Sequence, residues 1–89
     1  MEILQTPSFK RSVKKLHKEQ RKILEEAIRS IVKQPTIGQA KKGDLAGIRV
    51  YKFKMFNQLI LLAYQHNVDK LILVALGSHE NFYRDLKNH

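Results

Sequence analysis

The spacing of apolar residues changes once along this chain, and that change limits what it can fold into. Ile23, Leu24, Ala27, Ile28, Ile31 and Val32 fall on one face of a helix over about 18–34, and Pro35 stops it. Beyond the following loop, helical spacing gives way to runs of β-branched, aromatic and aliphatic residues. A helical half followed by a stranded half buries its apolar faces most simply as helices layered on one side of a sheet.

The segments before and after follow the same logic. Glu2–Gln5 is short and β-compatible, and Thr6-Pro7 then places a helix-capping residue ahead of a proline suited to the first helical position. Phe9, Val13 and Leu16 form a second stripe over 8–16, with Lys10, Arg11, Lys14 and Lys15 pointing elsewhere. Leu16-His17-Lys18-Glu19 leaves room only for a tight connection, so the two helices form an antiparallel hairpin. Residues 34–47, with Pro35, Gly38, Gly43 and Gly47, read as a loop.

Strands are expected over 47–54, 59–65 and 71–76, separated by turns at Asn57 and at 66–69. The segment from Ser78 to Lys87 has Phe82 and Leu86 four apart and Glu80 near its start, the pattern of a small amphipathic C-terminal helix. The expected fold is α+β, in the order β-α-α-β-β-β-α, with a two-helix hairpin packed on a largely antiparallel sheet. Residues 1–89 form a single domain in this reading.

Charge narrows the function. Seventeen Lys and Arg against eight Asp and Glu leave a net charge of +9. Such an excess repels itself in a compact chain and is tolerated where a polyanion or acidic partner binds, nucleic acid first among them. With no cysteine, disulfides and thiol catalysis are excluded, and a cytoplasmic location fits. The apolar runs 59–63 and 71–76 fall far short of the roughly 20 residues that cross a bilayer, and the first residues lack the apolar stretch of a signal peptide. No membrane role is expected. Metal-binding spacings, acidic clusters, a phosphate loop and a dinucleotide fingerprint are all missing from the sequence, so neither a metal nor a small-molecule cofactor is expected.

Strand parity gathers the candidate chemistry. Over 47–54, Arg49, Tyr51 and Phe53 share one face, and Ile48, Val50, Lys52 and Lys54 share the other. If the aromatic pair faces the helices, Lys52 and Lys54 emerge together on the opposite face, about 7 Å apart, a spacing suited to neighbouring phosphates. Three consecutive antiparallel strands bring Lys54 near Gly77, and His79 follows two residues later, whereas His66 lies at the far turn. His79 would occupy the first turn of the last helix, where free N–H groups attract phosphate, with Tyr83 four residues on along the same face.

A histidine, a tyrosine and two lysines suit RNA cleavage by attack of the ribose 2′-hydroxyl on the adjacent phosphorus. His79 can move a proton near neutral pH, and the lysines stabilise the charge developing on phosphorus. DNA lacks the 2′-hydroxyl, so this chemistry selects RNA.

Leu45-Ala46-Gly47, the strand Tyr51-Lys52-Phe53-Lys54, Leu62-Ala63-Tyr64-Gln65 and the closing Gly77-Ser78-His79-Glu80-Asn81-Phe82-Tyr83 together resemble the landmarks of RelE/ParE-superfamily toxins over nearly the whole chain. The resemblance implies the toxin half of a type II toxin–antitoxin pair that cleaves mRNA, generally on the ribosome, without a metal. It matches the functional lysines of RelE-like members to Lys52 and Lys54. The catalytic histidine and downstream aromatic residue of a YafQ-like branch match His79 and Tyr83. Where RelE carries a strand arginine, this chain has Ile60-Leu61-Leu62, so Arg49 and Arg84 are the candidate substitutes. With Ser78, these two complete the expected RNA contacts.

The resemblance further implies a cognate antitoxin whose acidic and apolar segment covers the basic surface, with contacts along the helices at 18–34 and 8–16. Two other functions fit the same fold: a ParE-like inhibitor of DNA gyrase without nuclease activity, and a non-toxic nucleic-acid-binding module.

Overall fold

The computed structural model describes residues 1–78 and 82–83. Its order is β1 (Glu2–Gln5), α1 (Pro7–Lys14), α2 (Lys18–Lys33), β2 (Gln39–Ala40), β3 (Arg49–Met55), β4 (Gln58–His66) and β5 (Lys70–Ser78). The strands form one sheet in the order β1-β5-β4-β3-β2. Only the β1–β5 pair is parallel; the other three pairs are antiparallel.

The two helices arise as the sequence leads one to expect. Thr6 caps α1 by accepting the Phe9 N–H at 3.1 Å, with Pro7 in the first turn. At the start of α2 the Gln20 side chain accepts the His17 backbone N–H at 2.8 Å. Phe9, Leu24 and Ile31 pack from the helices against Met55, Ile60, Leu62, Tyr64, Leu71 and Leu73 of the sheet, and together they form the main core. No helix among the described residues is long and apolar enough to cross a membrane.

Two expectations need correction. The loop at 34–47 contains β2, whose Gln39 and Ala40 pair with Val50 and Arg49, followed by a 3₁₀ turn at Gly43–Leu45. Its polar, glycine-punctuated sequence hides a two-residue edge strand because so short a segment carries no period. Ser78 is also the last residue of β5, opposite Ile60, and not the first residue of a helix. The strand persists because β4 supplies ladder partners as far as Ser78. Phe82 and Tyr83 are helical. The remainder of the helix expected over 78–87 lies outside the described residues.

Strand β5 contains an irregularity that alternation does not anticipate. Leu73 and Leu76 both pack toward the helices although they are three residues apart, which strict alternation forbids. A register shift between Ala63 and Tyr64 of β4 resolves this: Ala63 pairs with Ala75 and Tyr64 with Leu73, so Val74 is the extra residue. Thr6 binds the bulge from the neighbouring segment. Its backbone N–H donates to the Leu73 carbonyl at 3.1 Å and its hydroxyl donates to the Val74 carbonyl at 2.6 Å.

A second lock holds the chain between α2 and β2. The fully buried Tyr64 hydroxyl donates to the Pro35 carbonyl at 2.6 Å and accepts the Gly38 N–H at 2.9 Å. A methyl group added at Gly38 would lie 2.7 Å from that hydroxyl oxygen, so the ring and the backbone meet only because the residue is glycine. β2 covers the outer flank of β3 only at Arg49 and Val50, which leaves Tyr51–Met55 without a strand partner on that side among the described residues.

Thr6→Val keeps the shape and removes the hydroxyl, so it is expected to lower stability by about 1–2 kcal/mol in urea unfolding through loss of the cap and of the bulge contact. Burial pushes the pKa of Tyr64 above its ordinary value, against smaller opposing pulls from the Gly38 hydrogen bond and Arg49. A raised folded-state pKa gives stability that is complete below the unfolded value near 10.0 and lost as pH rises through the folded value. Tyr64→Phe is therefore expected to be less stable at neutral pH and to lack this part of the alkaline decline, as measured by unfolding at a series of pH values.

Candidate nucleic-acid interface

The sheet has two unlike faces. Tyr51, Phe53 and Met55 of β3 pack toward the helices, and Tyr51 stacks on Phe53 with ring centroids 5.9 Å apart. Lys52 and Lys54 take the opposite face, and both are exposed. The parity argument thus places the lysine pair correctly. Among the described residues the one ion pair is Arg29–Glu25 on α2, so no described carboxylate lies within ion-pair distance of either lysine, though Glu26 and Lys54 border one pocket between α2 and β3.

Cross-strand register fixes what lies beside them. Lys52 is opposite Leu61, and Leu61 is opposite Gly77, so these three share a row across β3, β4 and β5. At about 4.8 Å per strand, Lys52 and Gly77 are roughly 10 Å apart. Gly77 is thus level with Lys52, and Ser78 is level with Phe53 through Ile60. Where the ladders end, a cleft of about 360 Å³ opens beside Ser78, lined also by Lys15, Met55, Gln58, Ile60 and Leu76. Lys15, which caps the basic first helix, therefore borders the same end of the sheet as Ser78.

This lysine-bearing face is partly covered. Val50, Leu61, Ala63 and Ala75 form a second, smaller core, closed from above by Phe82. Leu45, Ile48, Val74 and Tyr83 pack around it. Leu61, at the centre of the Ile60-Leu61-Leu62 stretch, is 0% exposed. An arginine there would place its charge under the Phe82 ring, so the apolar residue and its cover belong together.

The remaining expected site residues fall in different places. Arg49 is on the helix side, where its guanidinium donates to the Gly38 carbonyl at 2.8 Å and to the Thr36 carbonyl at 3.3 Å. It braces the segment that Tyr64 also holds and does not join Lys52 and Lys54. Tyr83 meets Phe82 edge-on at 5.3 Å, and the Lys41 ammonium lies 5.1 Å from its ring centroid. The Lys41 backbone N–H donates to Ile48, four residues or about 13 Å before Lys52 along the strand. The structure thus sets Tyr83 beside Lys41, a cation that sequence reasoning missed. Its only signal was the Lys41-Lys42 pair within a polar loop. His79 and Arg84 lie outside the described residues.

Lys52→Ala and Lys54→Ala are expected to leave stability within about 0.5 kcal/mol of the wild type, because both side chains are exposed. Leu61→Ala, beneath Phe82, is expected to cost roughly 2–5 kcal/mol. Equal losses in urea unfolding for all three would contradict the two-faced arrangement.

Three comparisons place this geometry among known proteins. Residues 3–87 match the family model for the ParE-like toxin of type II bacterial toxin–antitoxin systems. No curated protein matches. Among solved structures, the YoeB/ParE toxin from Agrobacterium tumefaciens is similar with a TM-score of 0.68 at 17% identity, over 89% of this chain and 99% of that one. A chain of the intact E. coli RelBE toxin–antitoxin complex is similar with a TM-score of 0.67 at 20% identity, over 89% of this chain and 96% of that one. A conserved hypothetical protein from Helicobacter pylori, HP0894, gives a TM-score of 0.53 at 27% identity, over 89% of this chain and 94% of that one. The two-helix layer on a five-stranded sheet is the RelE-like fold, and the match over residues 3–87 shows that this chain belongs to the ParE-like toxins of type II bacterial toxin–antitoxin systems.

Proposed function

We propose that this toxin is a metal-independent endoribonuclease that cleaves mRNA, on the ribosome, and thereby stops translation. The observation that carries the reading is the exposed pair Lys52 and Lys54, on the face opposite the helices and in register with the end of β5 from which the chain runs directly into His79. A toxin that acts only by occupying a protein target has no need of an exposed lysine pair in register with a strand end that a histidine follows in sequence.

In this reading the lysines hold the phosphates on either side of the scissile bond and stabilise the extra negative charge of the phosphorane. His79 moves the proton, as general base to the 2′-hydroxyl or general acid to the 5′-oxygen. This help is worth about 10²–10⁴-fold in rate. Tyr83 lies beside Lys41 on the same face and supports the RNA through its ring or hydroxyl, with Ser78 at the strand end and Arg84 as further contacts. Arg49 is left out of the site because its guanidinium is bonded to the loop carbonyls. With Leu61 in the strand, transition-state charge rests on the lysines.

The second partner is a cognate antitoxin, as in the RelBE complex to which this chain is similar. An acidic and apolar antitoxin segment suits the +9 charge and the basic row of Lys10, Arg11 and Lys14 on α1 with Lys15 at its C-terminal cap. Its binding would protect the cell until the toxin is released.

Induction of the wild type in bacteria is expected to arrest growth and create new mRNA 5′ ends, and His79→Ala to relieve both. Lys52→Ala with Lys54→Ala should weaken RNA binding and lower its salt dependence by roughly one charge per lysine removed. Arrest with intact mRNA and damaged DNA would instead identify a gyrase inhibitor. Failure of a well-expressed wild type to arrest growth would leave a binding module without toxicity.

A further inference from the structure

The β3–β4 hairpin turns through only two residues, Phe56 and Asn57, since Met55 pairs with Gln58. Phe56 has φ of +57°, and among the described residues it alone is a non-glycine residue with positive φ. A two-residue turn with positive φ at its first position normally carries glycine there, and asparagine tolerates the conformation far better than a bulky ring does. Asparagine is in fact the next residue, so the chain has phenylalanine where its backbone is least suited to it.

That ring lies mostly in solvent. Phe56 is 60% exposed, whereas Phe9, Tyr64 and Phe82 are buried and Tyr51, Phe53 and Tyr83 are partly so. The exposed residues nearest to it in sequence are Lys54, Asn57 and Gln58, all polar. A strained, exposed aromatic residue points to use of the ring itself. Lys52, Lys54 and Phe56 follow one another at two-residue steps of about 7 Å, the order of magnitude of the repeat along a nucleic-acid strand.

We propose that Phe56 is a stacking platform for an RNA base: the ring takes the face of an unpaired nucleobase whose backbone crosses Lys54 and Lys52. This rests on the RNA reading given above and adds to it a contact that positions the strand. A phenyl ring offers no hydrogen bonds, so it accepts any base and favours the larger face of a purine. It would set how far the RNA extends beyond the lysines, and with that which phosphodiester lies at the catalytic end of the sheet.

The test uses purified full-length protein and a short single-stranded RNA with 2′-O-methyl riboses, which removes the attacking hydroxyl and so prevents cleavage. One position carries 2-aminopurine, whose fluorescence is quenched by stacking. Wild type is expected to bind and quench. Phe56→Gly and Phe56→Asn are expected to unfold at the wild-type temperature or above it, because strain is relieved, yet to bind roughly 5- to 100-fold more weakly and lose the quench. Phe56→Trp should restore both, and Phe56→Leu neither.

Glycine and asparagine variants that bind and quench like wild type would overturn the proposal while leaving the RNA reading intact. Unchanged RNA binding with weakened antitoxin binding would also overturn it, by assigning the ring to the protein partner. A wild type that does not bind the RNA at all, while Lys52→Ala and Lys54→Ala likewise change nothing, would overturn the RNA reading and this inference with it.

Discussion

Thr6 does more than start a helix. Its hydroxyl accepts the Phe9 N–H and donates to the Val74 carbonyl, while its backbone N–H holds the Leu73 carbonyl. One residue thereby sets the entry angle of α1, ends β1 and fixes the bulge in β5. The bulge reverses the parity of everything after it. With it, Leu76 faces the helices and Gly77 joins the row of Lys52 and Leu61; without it those positions would exchange faces, and the end of β5 would meet the lysines with the wrong side.

The sheet's second face shows how a small chain reconciles packing with exposed charge. Near the middle, apolar side chains need cover, and Phe82 supplies it over Val50, Leu61, Ala63 and Ala75. Toward the far end of β3 none of the described residues covers this face, and Lys52 and Lys54 are exposed. Gly77 lies beneath the same ring, where a first side-chain atom would meet a Phe82 ring carbon at 3.5 Å, an ordinary packing distance. Tyr64 and Arg49 do related work on the helix side, where they fasten a polar loop that has little apolar contact of its own.

Much of this was legible in the sequence because it depends on period and punctuation. The stripes from Phe9 to Val32 specify the helices, Thr6-Pro7 and Pro35 their limits, and alternation in 49–54 separates Tyr51 and Phe53 from Lys52 and Lys54. The bulge at Val74 was hidden, since Leu71 to Leu76 is apolar throughout and an apolar run carries no parity. β2 was hidden by its length, and the extra residues of β5 by ladder partners that no local pattern announces. Of the expected site residues, parity located the lysine pair, whereas Tyr83 is set by Lys41, a contact between segments 42 residues apart in sequence that only the folded chain brings together.

The short reach of β2 has a consequence for the protein in a crowded solution. From Tyr51 to Met55 the outer flank of β3 has no neighbouring strand among the described residues, and a bare strand of this kind invites the sheet of another molecule to add to it. Lys52 and Lys54 project from that very stretch. Two like charges on each copy would repel a second copy that approaches in the same register, so this lysine pair opposes edge-to-edge joining of sheets.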